Sequence, residues 1–267
     1  MNWNRIFILA VFDLRHAIFR LKGLVFLIPF LFFWYWMLKF LYEKGADLLV
    51  SRESVLLLSW LYKPAVAQIL LIAHPASLSV FLIMALATTP FFAMLGSSDQ
   101  LAGDSARQTF RYFLTRCTRT EIFLGRLVSS YSLVASATIL AATAAACISW
   151  QIDHRALDVT LLYAAQVVVM TLLYILPYVT YMAAISSLMS SALSTLLMGM
   201  MIYLTLAMTG SHLSNRLSLD IALVPGGMKE LLFGIHPHDQ MYASVGLLAY
   251  TAVYGVLGWF IFRRRNL

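Results

Sequence analysis

Apolar residues run along this chain in long blocks, and polar residues gather between them. A helix needs about 20 mostly apolar residues to cross the hydrocarbon of a bilayer. Five blocks meet that length: Leu24–Tyr42, Ala76–Gly96, Leu127–Trp150, Ala192–Gly210 and Met241–Phe262. A sixth, Val159–Ala184, is apolar throughout, and Pro177 should kink it. The pattern predicts an all-α polytopic membrane protein: one transmembrane domain over 1–267, with six transmembrane helices and no soluble domain.

Val55–Ala73 competes for a seventh span, but Lys63 and Pro64 interrupt its centre. A lysine at mid-bilayer is costly, and proline breaks the backbone ladder there. Six spans with the N-terminus inside put Arg5, Arg15, Arg20, Lys22, Arg107, Arg111, Arg116, Arg119, Arg126 and Arg263 to Arg265 on the inner side. Those are twelve of the 19 basic residues. A seventh span would move a five-arginine loop outside, against the positive-inside rule. The stretch 43–75 therefore reads as an external loop with two short interfacial helices.

Residues 1–22 have helical periodicity. Trp3, Ile6, Phe7, Ala10, Leu14, Ala17, Ile18 and Leu21 fall on one side; Asn2, Arg5, Asp13, His16 and Arg20 cluster on the other. Such a helix lies in the headgroup plane. It reads either as a simple anchor or as an elbow helix that couples a cytoplasmic partner to the first span.

Composition agrees with the pattern. Hydrophobic residues make up 61% of the 267 and charged residues 12%, against roughly 25% charged in soluble domains. The net charge of +7 then points to arginine-rich inner loops rather than to nucleic acid. Cys117 and Cys147 fall on different sides of the membrane plane, which argues against a disulfide and leaves no metal framework. The N-terminus does not read as a cleavable signal, because the apolar block from Leu24 has full spanning length.

The inner loop 97–126 is the most informative stretch. Ala106, Phe110, Phe113 and Leu114 share one helical face, and Asp104, Arg107 and Arg111 share another at ion-pair spacing. A short helix lying along the inner membrane surface is expected, with arginines open to a partner or to anionic headgroups.

Here the sequence resembles the type 2 ABC exporter permease family, which includes the nitrous-oxide-reductase accessory permeases and the gliding-motility permeases. The order Asp104, Thr109, Leu114, Arg119 and Leu124-Gly125-Arg126 matches that family's loop between spans two and three. Gln108 and Cys117 depart from it, where glycine and proline are usual. Asp13-Leu14-Arg15 in the N-terminal helix, the short connection Ser186–Ser191 and an external Pro/Gly hairpin near 220–240 agree with the same pattern.

The resemblance implies two paired permeases, each resting a cytoplasmic coupling helix in a groove of a separate ATP-binding subunit. On that reading Asp104, Arg107, Thr109, Phe110, Arg111, Phe113, Leu114 and Arg119 couple to the ATPase. Asp13, Arg15 and Arg20 make a secondary cytoplasmic contact. The expected setting is the bacterial cytoplasmic membrane with both termini inside, and a periplasmic partner is compatible with it. The chain has no G-x-x-x-x-G-K-[ST] phosphate loop, so it is not expected to be an enzyme by itself. ATP and magnesium belong to the partner, with no cofactor in this chain. The other functional class is a non-transporting membrane scaffold that recruits a cytoplasmic enzyme through the same loop.

Three other constellations carry less. His236, His238 and Asp239 have metal-ligand chemistry, but an incidental histidine pair in an exposed loop explains them, and no metal site is expected. No G-x-S-x-G or H-E-x-x-H motif supports an intramembrane enzyme. Gln166, Tyr174, Tyr178 and Tyr181 make the fourth span unusually polar. They read as a substrate-facing or dimer-facing stripe, or as ordinary interhelical hydrogen bonding. Trp34, Tyr35 and Trp36 read as an interfacial belt.

Overall fold

A computed structural model of the chain describes residues 3–19, 21–48, 74–103, 115–152, 156–217, 223–232 and 237–265. Among these there is no strand. The order is α1 (Trp3–Phe19), α2 (Leu21–Leu48), α3 (Ala76–Ser97), α4 (Arg119–Ile152), α5 (Leu157–Ser186) and α6 (Ala192–Leu217). A 3-10 turn (Pro225–Met228), α7 (Lys229–Leu232) and α8 (Pro237–Arg264) follow. Six of these helices, α2 to α6 and α8, are long and apolar enough to cross a membrane. The chain is a multi-pass, all-α membrane protein.

The bundle is built around α3. Two-thirds of its most apolar window is buried, 67%, against 11% for α6, so α3 is the hub and α6 lies at the periphery. Leu78, Phe81, Leu82, Ile83 and Leu86 are fully buried and join α3 to α2, α4 and α5. Trp34 of α2 stacks on Phe81 with centroids 4.6 Å apart. It is a core residue and not part of an interfacial belt, whereas Tyr35 and Trp36 are exposed. The polarity is partly inverted relative to a soluble bundle: Leu, Met and Val face outward while hydroxyls turn inward. Thr89, Thr138 and Thr171 each donate to the carbonyl four residues back, which satisfies them where no water is at hand.

One helix extends beyond the span Leu127–Trp150 read in the sequence. The helix starts at Arg119 and runs 34 residues, about 51 Å at 1.5 Å per residue, longer than a bilayer's hydrocarbon core. Its first two turns belong to what reads in sequence as loop. Pro177 lies inside the 30-residue α5. The seventh-span candidate and its interfacial helices fall mostly on 49–73, outside the described residues.

The last helix lies hard against α5. A Cβ on Gly258 would stand 3.0 Å from Ala184 Cα, so the two backbones approach as closely as a small residue permits. Ser187 Oγ donates to the Gly258 carbonyl at 3.4 Å, and Arg265 donates to the carbonyls of Ser187 (2.8 Å) and Met189 (3.2 Å).

Candidate functional site

One end of the bundle is basic, and its arginines act as staples between chain ends. Arg5 donates to the Arg116 carbonyl at 3.0 Å. Arg119 donates to the carbonyls of Arg263 (2.6 Å) and Arg265 (2.8 Å), joining the start of α4 to the end of α8. Arg126 pairs with Asp13 at 2.7 Å, joining α4 to α1; Asp13 is 8% exposed and Arg126 17%. Gly125 faces Leu9 across the same contact. Asp13 is thus on the packed face of α1 with Ile6 and Ala10, not on the polar face that periodicity assigns it. Trp3, Phe7 and Phe12 are the residues left exposed. Arg15 is exposed; Arg20 lies outside the described residues.

The expected coupling helix falls on 104–114. Asp104, Arg107, Thr109, Phe110, Arg111, Phe113 and Leu114 therefore lie outside the described residues; Arg119 alone of that set is placed. Both flanks of the segment are fixed. On the near side Leu101 is buried and its N–H meets Ser186 Oγ at 2.9 Å, while Gln100 Nε2 donates to the Val179 carbonyl at 3.2 Å. On the far side Thr118 and Glu121 form a reciprocal cap. The Glu121 N–H donates to Thr118 Oγ1 (3.3 Å) and the Thr118 N–H to Glu121 Oε2 (3.0 Å). The T-x-x-E signature of such a box stands in the sequence and marks the start of α4.

At the other end, the connection between α6 and α8 folds back into the bundle. A Cβ on Gly226 would stand 2.7 Å from Tyr203 Oη, with Tyr178 and Tyr174 hydroxyls at 3.7 and 3.8 Å. A side chain there would have to push the Tyr203 hydroxyl aside. Tyr203 is near the middle of the apolar window Ala192–Leu213, and Tyr174 is close to the middle of α5. The turn thus reaches about half-way down the spans. The hairpin expected near 220–240 therefore folds in among the helices at its Gly226 turn. A short broken turn among spanning helices is tolerated where protein or a cavity surrounds it.

Both conditions are met. The tyrosine hydroxyls form a chain, Tyr178 donating to Tyr174 at 2.8 Å and standing 3.5 Å from Tyr203. Tyr181 donates to the Gly199 carbonyl at 2.7 Å and packs its ring on Tyr254. Tyr174, Tyr178 and Tyr181 are buried within this chain; Gln166 does not join them. It lines a separate cavity of about 350 Å³ with Gln240 and Ser244.

Beside the turn lies a cavity of about 980 Å³ between α3, α6 and the hairpin, within the size range of ligand pockets. From α3 it takes Leu86, Pro90, Phe91 and Met94, and from α6 Met200, Leu204 and Ala207. The hairpin adds Lys229 and Glu230, the charged side chains of an otherwise largely apolar lining. Sequence reasoning passed over this pair and Gly226. The signal that could have found them is the Pro-Gly-Gly interruption before the last apolar block, since broken segments of this kind mark binding sites in transporters. Among the described residues no group of three His, Cys, Asp or Glu side chains could hold a metal ion.

No protein-family model matches the chain, and no curated protein matches it either.

Proposed function

We propose that this chain is the membrane-spanning permease subunit of an ATP-driven transporter of the ABC type, working with a separate ATP-binding subunit. The observation that carries the transport half of this reading is the inward-folded hairpin. It brings a short 3-10 turn, and the Lys229–Glu230 pair that follows it, in among the helices beside a large cavity, and ionisable groups within a membrane bundle mark pathways. The ATP-driven half rests on the resemblance of the loop 97–126 to type 2 exporter permeases. The stapling of α1, α4 and α8 around that loop supports it, since a rigid base passes motion from a partner to the spans.

In this reading the basic end faces the cytoplasm, as the inner-side arginines favour, in the bacterial cytoplasmic membrane. Two copies assemble with two ATP-binding subunits. The exposed stripe of Leu193, Leu197, Met201, Leu204 and Met208 on α6 offers a face for the second copy. The segment 104–114 is the main ATPase contact, anchored by Phe110, Phe113 and Leu114.

The test is a Phe110→Ala, Phe113→Ala double variant, checked first for normal membrane insertion. Losing buried aromatic anchors costs about 2 kcal/mol or more, roughly thirtyfold in affinity. The ATP-binding subunit should then be lost from the purified complex, and Arg15→Ala with Arg20→Ala should weaken it less. Full retention of the partner, or native mass spectrometry of the unaltered complex showing a lone chain, overturns the proposal. A partner that stays bound but drives no movement of solute would favour the scaffold reading.

A further inference from the structure

The basic end of the bundle holds more guanidinium groups than its packing uses. Arg119 donates to the carbonyls of Arg263 and Arg265 and so covers the negative end of α8. Arg265 turns back to the carbonyls of Ser187 and Met189. Arg263 and Arg264 are left over: both are exposed, and among the described residues no carboxylate pairs with either. Glu121, in the adjoining first turn of α4, is buried and engaged in its cap with Thr118. Each surplus guanidinium lies instead over an aromatic ring one turn back along α8. Arg264 Cζ is 4.0 Å from the centroid of Phe260, and Arg263 Cζ is 5.3 Å from that of Trp259. The Trp259 ring is itself fixed, its Nε1 donating to Thr120 Oγ1 at 3.1 Å. Stacking of this kind uses the flat face of a guanidinium and leaves its N–H edge open to an acceptor.

Phe260 also belongs to a second pattern. Val253, Val256, Leu257 and Phe260 are all exposed, and they follow one another at helical spacing with Arg264 next in the series, so the five share one face. The eleven steps from Val253 to Arg264 measure about 17 Å, close to half the roughly 30 Å of bilayer hydrocarbon. An outward apolar stripe that ends on a stacked cation passes from hydrocarbon to headgroup level between Phe260 and Arg264.

We infer that this corner of α8 binds an anionic glycerophospholipid, its phosphate held by Arg264 and Arg263 and one acyl chain lying along the stripe. A phosphodiester accepts two parallel hydrogen bonds from the planar fork of a guanidinium. A zwitterionic headgroup would bring its own cation to an end where Arg5 and Arg116 are also exposed, and gains less. An acidic protein surface could reach the guanidiniums from the aqueous side but would make no use of a stripe that faces lipid. The site needs no ATP-binding subunit and stands apart from the permease reading.

The experiment titrates phosphatidylglycerol or phosphatidylcholine of matched chains onto the delipidated full chain in mild detergent and resolves each bound lipid by native mass spectrometry. Phosphatidylglycerol should bind about tenfold tighter, the worth of one charge-assisted contact. Arg263→Gln with Arg264→Gln should abolish that preference and leave phosphatidylcholine binding unchanged. Arg15→Gln, at an exposed arginine of α1, should preserve it. Two milder variants separate a stacked site from a general positive field. Arg264→Lys keeps the charge but loses the fork, and Phe260→Leu keeps the apolar surface but loses the ring; each should lower the preference about threefold. A preference untouched by both overturns the site, as does one that survives the double glutamine variant. In nanodiscs, phosphatidylglycerol with a diazirine in its acyl chain should label Val253, Val256 and Leu257 saturably. Val25 and Ile28, similarly exposed near the same end of α2, should label weakly. Even labelling of the two helices overturns the inference. So does a double variant that keeps its lipid preference but loses a co-purifying soluble subunit, since the arginines would then read a protein.

Discussion

At the basic end of the bundle, Arg5, Arg119, Arg126 and Arg265 are each tied to a carbonyl or carboxylate of another segment. At the hairpin end the chain instead tucks a glycine turn under three tyrosine hydroxyls and leaves a cavity of about 980 Å³ beside it. The first end spends its polar groups on holding helices together; the second keeps its charged pair beside open volume. A membrane protein has little hydrophobic force between helices, so packing and polar contacts decide what is rigid. The difference teaches where this molecule resists deformation and where it can admit a ligand.

The largest effect expected from breaking that contrast comes from Asp13→Ala. It leaves the Arg126 guanidinium without its carboxylate in a mostly buried place, which costs about 3 kcal/mol. A large fall in thermal stability in detergent should follow, with α1 becoming accessible to protease. Asp13→Leu combined with Arg126→Met should recover most of it. An unchanged melting profile for the single variant would show that the pair contributes little to the base.

Next comes Gly226→Leu. The side chain has to displace the tyrosine hydroxyls or expel the turn, and overpacking of this kind costs about 2 kcal/mol. Labelling of a cysteine placed at Met228 by a membrane-impermeant reagent should rise sharply if the turn is expelled. Wild-type protection in that variant would argue that the turn does not sit among the tyrosines.

A smaller loss, about 1 kcal/mol, is expected from Glu121→Ala, which removes half of the cap at the start of α4. Hydrogen exchange should speed up at Thr118 to Phe123 and not at Leu133 to Thr138. Uniform exchange across both stretches would mean that the cap does not set the helix start.

The smallest effect concerns His74, stacked on Tyr163 with centroids 4.2 Å apart just before α3. Burial holds its imidazole below the usual value of 6.5, so the folded state favours the neutral ring. The contribution is complete above about pH 6.5 and declines as the pH falls through the lower folded value. His74→Phe should keep the stack and flatten that acid-side decline. An identical pH profile in both proteins would remove His74 from the account.

The spans were legible because lipid imposes a simple requirement: some 20 apolar residues in a row. Tyr174, Tyr178 and Tyr181 stood out as polar within a span, and the structure buries all three inside this chain. The hydropathy pattern could not reveal that Asp13 faces inward, because its partner Arg126 is 113 positions away (126 − 13) and a local period carries no such information. Trp34 misleads for a related reason: an aromatic run looks the same whether its rings meet headgroups or Phe81. The Thr118–Glu121 cap, by contrast, is local and has its cue in the T-x-x-E spacing. The inward-folded turn has its cue in Pro225-Gly226-Gly227, though how far in it reaches depends on the tyrosines that receive it.

The close seat of Gly258 on Ala184 makes the final helix a lever. It is pinned near the basic end, where Arg265 and Ser187 bind it to α5, while Gly246 meets Met228 of the hairpin twelve residues away. That arm is about 18 Å long, so a tilt of about 10° at the pivot swings the hairpin contact by about 3 Å. A modest rotation imposed at the fixed end thus becomes, at the far end, a displacement comparable to the width of a water molecule.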